Sequence, residues 1–167
     1  MSVLQWLEAT QFGTFVREGR SLLAYPTFTV LHTVGLAVVV GISAVIGARL
    51  TGFAPTIPLA PLKRLFPVIW FGFAINTFSG SGLAAAGATK TLINPLFIAK
   101  IIFVFAAVAV MRVLQVTVFR DPEVDNKPLD KRAKILGASL LVLWLFAMIT
   151  GRLIGYTNDL INTAGAP

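Results

Sequence analysis

The stretch of sequence that decides the fold is residues 23–48, LAYPTFTVLHTVGLAVVVGISAVIGA. It is apolar almost throughout, and His32 is its only side chain that titrates near neutral pH. About 20 apolar residues are enough for a helix to cross the hydrocarbon core of a bilayer. Because the backbone finds no water there, a spanning segment of this kind must be helical. The stretch therefore predicts a transmembrane helix that carries one histidine.

Three further apolar stretches have the length of a membrane span: residues 65–88, 94–119 and 135–156. The whole chain is 56% hydrophobic and only 13% charged. Soluble domains carry about 25% charged residues, so the composition excludes an ordinary globular protein. We predict an all-α integral membrane four-helix bundle, formed by residues 1–167 as a single membrane domain.

The segment before the first span, residues 1–20, contains acidic residues and lacks a basic stretch followed by an apolar one. We therefore expect no cleavable signal peptide. Ser2 is suited to cap a short helix, and Thr10 or Thr14 a second one. The apolar positions form no continuous stripe, so we predict a broken interfacial helix with Trp6 near the lipid headgroups.

Basic residues dominate the charge, which is +7, and most of them stand at the ends of the apolar stretches. This placement argues against nucleic acid as a partner and is typical of topology signals in a lipid bilayer. Nine basic residues adjoin the connections after the first and third spans: Arg49, Lys63, Arg64, Arg112, Arg120, Lys127, Lys131, Arg132 and Lys134. The opposite side has five, so we predict a cytoplasmic loop at 120–131 and both termini on the periplasmic side of a bacterial inner membrane.

Several unusual residues are expected to gather in the outer half of this bundle. They are His32 and Asn76 in the first two spans, with Lys100 and Arg152 in the last two. An imidazole below a ring of cations is the arrangement that a b-type haem needs, because iron takes an axial nitrogen and the propionates take basic partners.

We predict His32 and Met148 as the metal ligands of this haem, with Lys100 and Arg152 at the propionates. Met148 lies one turn inward of Arg152 on the same helix face. Gly35, one turn after His32, would leave a gap for the flat ring. A second His32 from another chain is one alternative to Met148, with the haem then at a subunit interface, and a five-coordinate haem is the other.

Two other interpretations of these residues remain open. His32 can be a neutral structural residue that donates to a backbone carbonyl or to Asn76, and the cations can extend to the headgroups. The protein is then an accessory or assembly subunit whose small-residue ridges, such as Gly72, Asn76 and Gly80, are packing or docking surfaces. Alternatively, the polar residues line the path of a small-solute channel or carrier.

Several classes of site are excluded or disfavoured. The chain has no cysteine, which excludes disulfides, thiolate metal sites and iron–sulfur clusters. One histidine and three methionines give few soft ligands for copper. No second acid or base is paired with His32 within the spans, so hydrolytic catalysis is disfavoured. The enzymatic activity that stays open is that of an oxidoreductase component.

Four segments also carry a resemblance: WLEAT at 6–10, YPTFTVLHTVGLAVVVG at 25–41, NPLFIAKI at 94–101 and WLFAMITGRLIGY at 144–156. They resemble a family of uncharacterised bacterial four-helix membrane proteins. The Leu-His-x-x-Gly-Leu-Ala element is similar to the first helix of copper-resistance D-like and haem-binding four-helix membrane proteins. The resemblance implies a four-helix membrane fold and a haem at His32. Related haem proteins have further histidines that this chain lacks, which argues against a two-haem electron wire.

The predicted function is therefore electron transfer by a membrane protein that binds haem b. The electrons would pass between a periplasmic redox partner and quinone, or from chain to chain within a homo-oligomer.

Overall fold

The computed structural model describes residues 2–19, 24–121 and 123–164, with the side chains of 158–164 left undescribed. All regular secondary structure in these residues is helical, so the predicted all-α class is confirmed. Met1, Arg20 and Leu23, where predicted segments begin or end, lie outside the described residues.

The helices follow in chain order, with one short 3-10 helix among them. They are α1 (Val3–Ala9), α2 (Gln11–Glu18), α3 (Tyr25–Thr51), the 3-10 helix (Ala60–Leu65), α4 (Phe66–Ala86), α5 (Ala88–Thr91), α6 (Pro95–Thr117) and α7 (Lys131–Ala164). Four segments are long and apolar enough to cross a membrane: α3, the 3-10 helix with α4, α6, and α7 as far as Thr157. The protein is thus a multi-pass helical bundle of the kind that lipid accommodates.

The ends of the long helices follow from local chemistry. The side chain of Asn94 accepts a hydrogen bond from the Leu96 amide at 2.9 Å, and Pro95 then starts α6. At the other end of α3, Gly52 adopts a left-handed conformation with φ of 102° and stops the helix. The helix runs three residues past its predicted end, and the Arg49 side chain in its last turn donates to the Ile57 carbonyl of the following loop.

The N-terminal segment forms two short helices that meet at Thr10. Ser2 and Gln5 form a capping box at the start of α1, and the Thr10 hydroxyl accepts from the Gly13 amide at the start of α2. These caps confirm the break that the sequence predicted. The segment packs against the bundle, since Val16 is fully buried and the Phe12 ring lies 5.6 Å from the Phe28 ring.

The long helices pack in the order α4, α3, α7 and α6, with little direct contact between α4 and α6. Gly47 and Gly137 allow α3 and α7 to approach closely. We call the end that carries α1, α2 and α5 the amino end, and the opposite end, with residues 52–65, 118–121 and 123–130, the loop end. Most of the large buried side chains belong to the loop end.

At the loop end all four helices come together. The Phe66 and Phe119 rings lie 5.1 Å apart edge to face, and the Trp70 indole donates to the Gln115 side chain at 3.3 Å. The two connections are also joined, because the Asp125 carboxylate accepts hydrogen bonds from the Leu59 and Ala60 amides at 2.5 and 3.0 Å. This end of the bundle is therefore closed.

Candidate functional site

The histidine that the sequence singled out is held by a reciprocal pair of hydrogen bonds between α3 and α4. His32 Nδ1 lies 3.1 Å from the Asn76 carbonyl oxygen. In return, the Asn76 side-chain amide donates to the His32 carbonyl oxygen at 2.8 Å. Each residue thus uses one side-chain and one backbone group, which fixes the rotation and height of the two helices relative to each other.

The carbonyl partner determines the protonation of the neutral ring. A carbonyl oxygen only accepts, so Nδ1 carries the proton and Nε2 keeps a lone pair. The Ser79 hydroxyl, 3.4 Å from Nδ1, donates to the Ile75 carbonyl at 2.7 Å. Among the described residues, Nε2 has no hydrogen-bond partner. It is the one ring atom that is free to bind a metal or to accept a proton.

Glycines make room for this pair. A Cβ added at Gly80 would lie 2.9 Å from His32 Cε1, so the ring rests directly on the α4 backbone. A Cβ at Gly35 would lie 2.9 Å from both the Asn76 nitrogen and the Gly72 oxygen. The gap that the sequence suggested for a flat ligand at Gly35 is therefore filled by α4, and this glycine serves the contact between helices.

Lys100 lies on α6 at the amino end and is partly buried against α7. Its Cδ, Cε and Nζ atoms are 3.3, 3.3 and 3.5 Å from the position that a Cβ of Gly151 would occupy. The ammonium is also close enough to the His32 ring for the two to interact electrostatically. In the part of the chain that the structure describes, this ammonium has neither a hydrogen bond nor an ion pair.

The bundle is open beside these residues. No residue of 95–106 on α6 is fully buried, and the buried positions of this helix begin at Ala107. The amino half of α6 therefore rests on α7, for example through the Phe103 ring stacked 5.4 Å from Phe146. Because α4 and α6 meet mainly at the loop end, a lateral opening toward lipid remains between the parts of these two helices that lie near the amino end. We call it the α4–α6 opening.

The two remaining predicted site residues lie on the exposed side of α7. Met148 has 42% of its surface accessible, whereas its neighbour Ala147 has 3%. Arg152 is likewise exposed, next to the Gly151 that supports Lys100. The structure thus brings His32, Asn76 and Lys100 toward one region of the interior and leaves Met148 and Arg152 facing outward.

Two features of the site were missed at the sequence level. One is Gly80, against which the imidazole packs, and the other is the contact between Lys100 and Gly151. The spacing of Gly80 one turn after Asn76 was visible as a small-residue ridge, but a ridge does not say which side chain covers it. Among the described residues, no three His, Cys, Asp or Glu side chains come together to hold a metal ion.

Fold and site together define a membrane-type four-helix bundle with one hydrogen-bonded histidine beside a lateral opening. No family model, curated protein or solved structure matches the chain.

Proposed function

We propose that the protein binds a b-type haem in the membrane, with His32 Nε2 as an axial ligand, and that it serves electron transfer. The observation that carries this proposal is the hydrogen bond from Nδ1 to the Asn76 carbonyl. Histidines that bind metals almost always donate their other ring nitrogen to a carbonyl or carboxylate, which fixes the tautomer and the ring orientation. His32 has this arrangement, and its Nε2 has no partner among the described residues.

The surroundings fit such a group in part. The α4–α6 opening gives access from lipid, and Lys100 supplies a cation for a propionate, with the exposed Arg152 one position beyond Gly151. Bound haem would supply a one-electron redox couple. Since Met148 faces outward, one chain offers one axial ligand, and a second ligand would come from another copy in a homo-oligomer.

The setting of the proposed activity follows from charge and polarity. The loop end carries most of the basic residues, so we place it in the cytoplasm of a bacterial cell and the termini in the periplasm. His32 then lies in the outer half of the inner membrane, where quinone or a periplasmic redox partner can exchange electrons with it.

The test is a reduced-minus-oxidised visible spectrum of protein purified with haem supplied. We expect a b-type signal that is lost in His32→Ala and kept in Thr33→Ala, whose exposed side chain bonds its own helix at Thr29. Added imidazole should restore the signal in His32→Ala if the histidine is an iron ligand. A wild-type protein without any such signal refutes the proposal.

A second candidate is an accessory or assembly subunit, in which His32 has a structural role. The reciprocal pair of His32 and Asn76 favours it, because the pair joins two helices without any ligand. In this case His32→Ala lowers the stability of the bundle, and no preparation of the protein contains haem.

A further inference from the structure

The position of the Lys100 ammonium is unusual for a membrane lysine. Near the end of a span, a lysine normally extends along the helix to the headgroups. Here the last three atoms of the side chain all lie within 3.5 Å of the position that a Cβ of Gly151 would occupy. The ammonium therefore lies at the same depth in the membrane as Gly151. Lys100 is five residues beyond Pro95, roughly 7.5 Å into α6 at 1.5 Å per residue. The charge therefore stays inside the bundle rather than at its edge.

The spans offer no acidic residue to neutralise this charge. The chain has seven acidic residues, and none of them lies between Glu18 and Asp121 or between Lys131 and Tyr156. Asp159 is eight residues beyond Gly151 on α7, which is roughly 12 Å further along the helix axis. An unpaired ammonium in an apolar environment is costly, so a counter-charge from outside the chain would stabilise it.

We infer that Lys100 forms an anion site in the α4–α6 opening, which takes the carboxylate of a membrane-borne amphiphile. A single ammonium is a compact point charge and suits one small anionic group, whereas a fork-shaped guanidinium would favour bidentate partners. Phe97 and Val104, about one turn before and after Lys100 on the same side of α6, are only partly buried and offer an apolar surface to an alkyl chain. The depth of the ammonium favours a fatty-acid carboxylate over the bulkier phosphate of a lipid headgroup.

This site shares the α4–α6 opening with the proposed function but does not depend on haem. A haem propionate is also a carboxylate, so either a fatty acid or a haem could provide the anionic group that binds Lys100. The two proposals are separable because one concerns His32 Nε2 and the iron spectrum, and the other concerns Lys100 and an anion.

The experiment is a titration of haem-free protein in a nonionic detergent with oleate, followed by native mass spectrometry. We expect one bound oleate per chain and at least tenfold weaker binding in Lys100→Gln. The variant Lys134→Gln removes one exposed cation at the loop end and should bind oleate as the wild type does. Methyl oleate, which has the same alkyl chain without the charge, should not bind at this site.

A second pair of variants keeps the lysine and so controls for folding. In Gly151→Ala the new Cβ lies 3.3 Å from Lys100 Cδ and Cε, so the lysine side chain must shift by a few tenths of an ångström and oleate binding should weaken. In Gly155→Ala, one turn further along α7, the new Cβ meets no atom of the described residues within 4 Å, and this variant should bind oleate normally.

Equal oleate affinity in the wild type and Lys100→Gln overturns the inference, as does equal binding of methyl oleate. Binding of dioleoyl phosphatidylglycerol at Lys100 in place of oleate overturns the choice of a carboxylate. If oleate binding depends on Lys100 while no haem spectrum is found, the anion site is supported and the proposed haem function is refuted. If loading with haem lowers the oleate affinity, the propionate is a second occupant of the site, and the inference is supported.

Discussion

The contact between α3 and α4 at Gly35 gives the sharpest prediction, because the obstacle there is backbone. In Gly35→Ala the added Cβ would lie 2.9 Å from the Asn76 nitrogen and the Gly72 oxygen. Real Cβ atoms do not approach this closely, and backbone atoms cannot rotate away, so the two helices must separate. Overpacking of this kind costs about 1–3 kcal/mol. The separation also stretches the hydrogen bonds of His32 and Asn76, so Gly35→Ala should weaken the proposed haem site as well.

The same helix provides the matched control. A Cβ added at Gly41 meets no atom within 4 Å in the part of the chain that the structure describes. Gly41→Ala should therefore stabilise α3 by about 0.5–1 kcal/mol through helix propensity alone. The free energy of unfolding should thus differ by about 1.5–4 kcal/mol between the two variants. The assay is reversible unfolding by sodium dodecyl sulfate in mixed micelles, followed by tryptophan fluorescence. A Gly35→Ala variant as stable as Gly41→Ala would refute the close packing.

Three other predictions concern residues outside the site. Hydrogen bonds from the Thr89 hydroxyl and amide lower the pKa of Glu8 from its usual 4.5. The docking of α1 should therefore be complete above pH 4.5 and weaken as the pH falls below it, which faster hydrogen exchange in α1 would report. Asp125→Ala removes the acceptor of the Leu59 amide and should cost about 1–2 kcal/mol in the same unfolding assay, with faster proteolysis of the connection. Trp144→Phe removes a buried indole N–H that has no hydrogen-bond partner among the described residues, which offsets the packing lost with the smaller ring, so stability should change little and a loss above about 1.5 kcal/mol would contradict this.

The spans were predictable because their signal is length and apolarity, which need no knowledge of neighbours. The side that each helix turns toward the bundle could not be predicted, as α7 demonstrates. The sequence places Met148 and Arg152 on one helix face, and the structure indeed exposes both. What the pattern did not reveal is that this face points outward, because an apolar side chain is equally stable against lipid and against another helix.

The same limit applies to the glycines. Gly35 is one turn after His32, and this spacing is compatible both with a space for a ligand and with a close helix contact. Only the position of α4 decides between them, and α4 is brought to Gly35 by its own glycine, Gly72. His32 and Asn76 were recognisable as the polar residues of their spans, but their reciprocal hydrogen bonds depend on this approach of the two backbones.

The unequal packing of the two ends bears on the channel alternative. At the loop end the interior is filled by large side chains such as Phe66, Phe119 and Leu114, each at most 2% exposed. The space among Trp144, Met111 and their neighbours is about 10 Å³, which is no more than one water molecule needs. A path for ions or polar solutes must continue through both leaflets, whereas here a core of large apolar side chains fills the loop end. A bundle that is open to lipid near its amino end and tightly packed at its loop end is suited to holding a ligand. Moving a solute through this bundle would require the side chains of the loop-end core to separate.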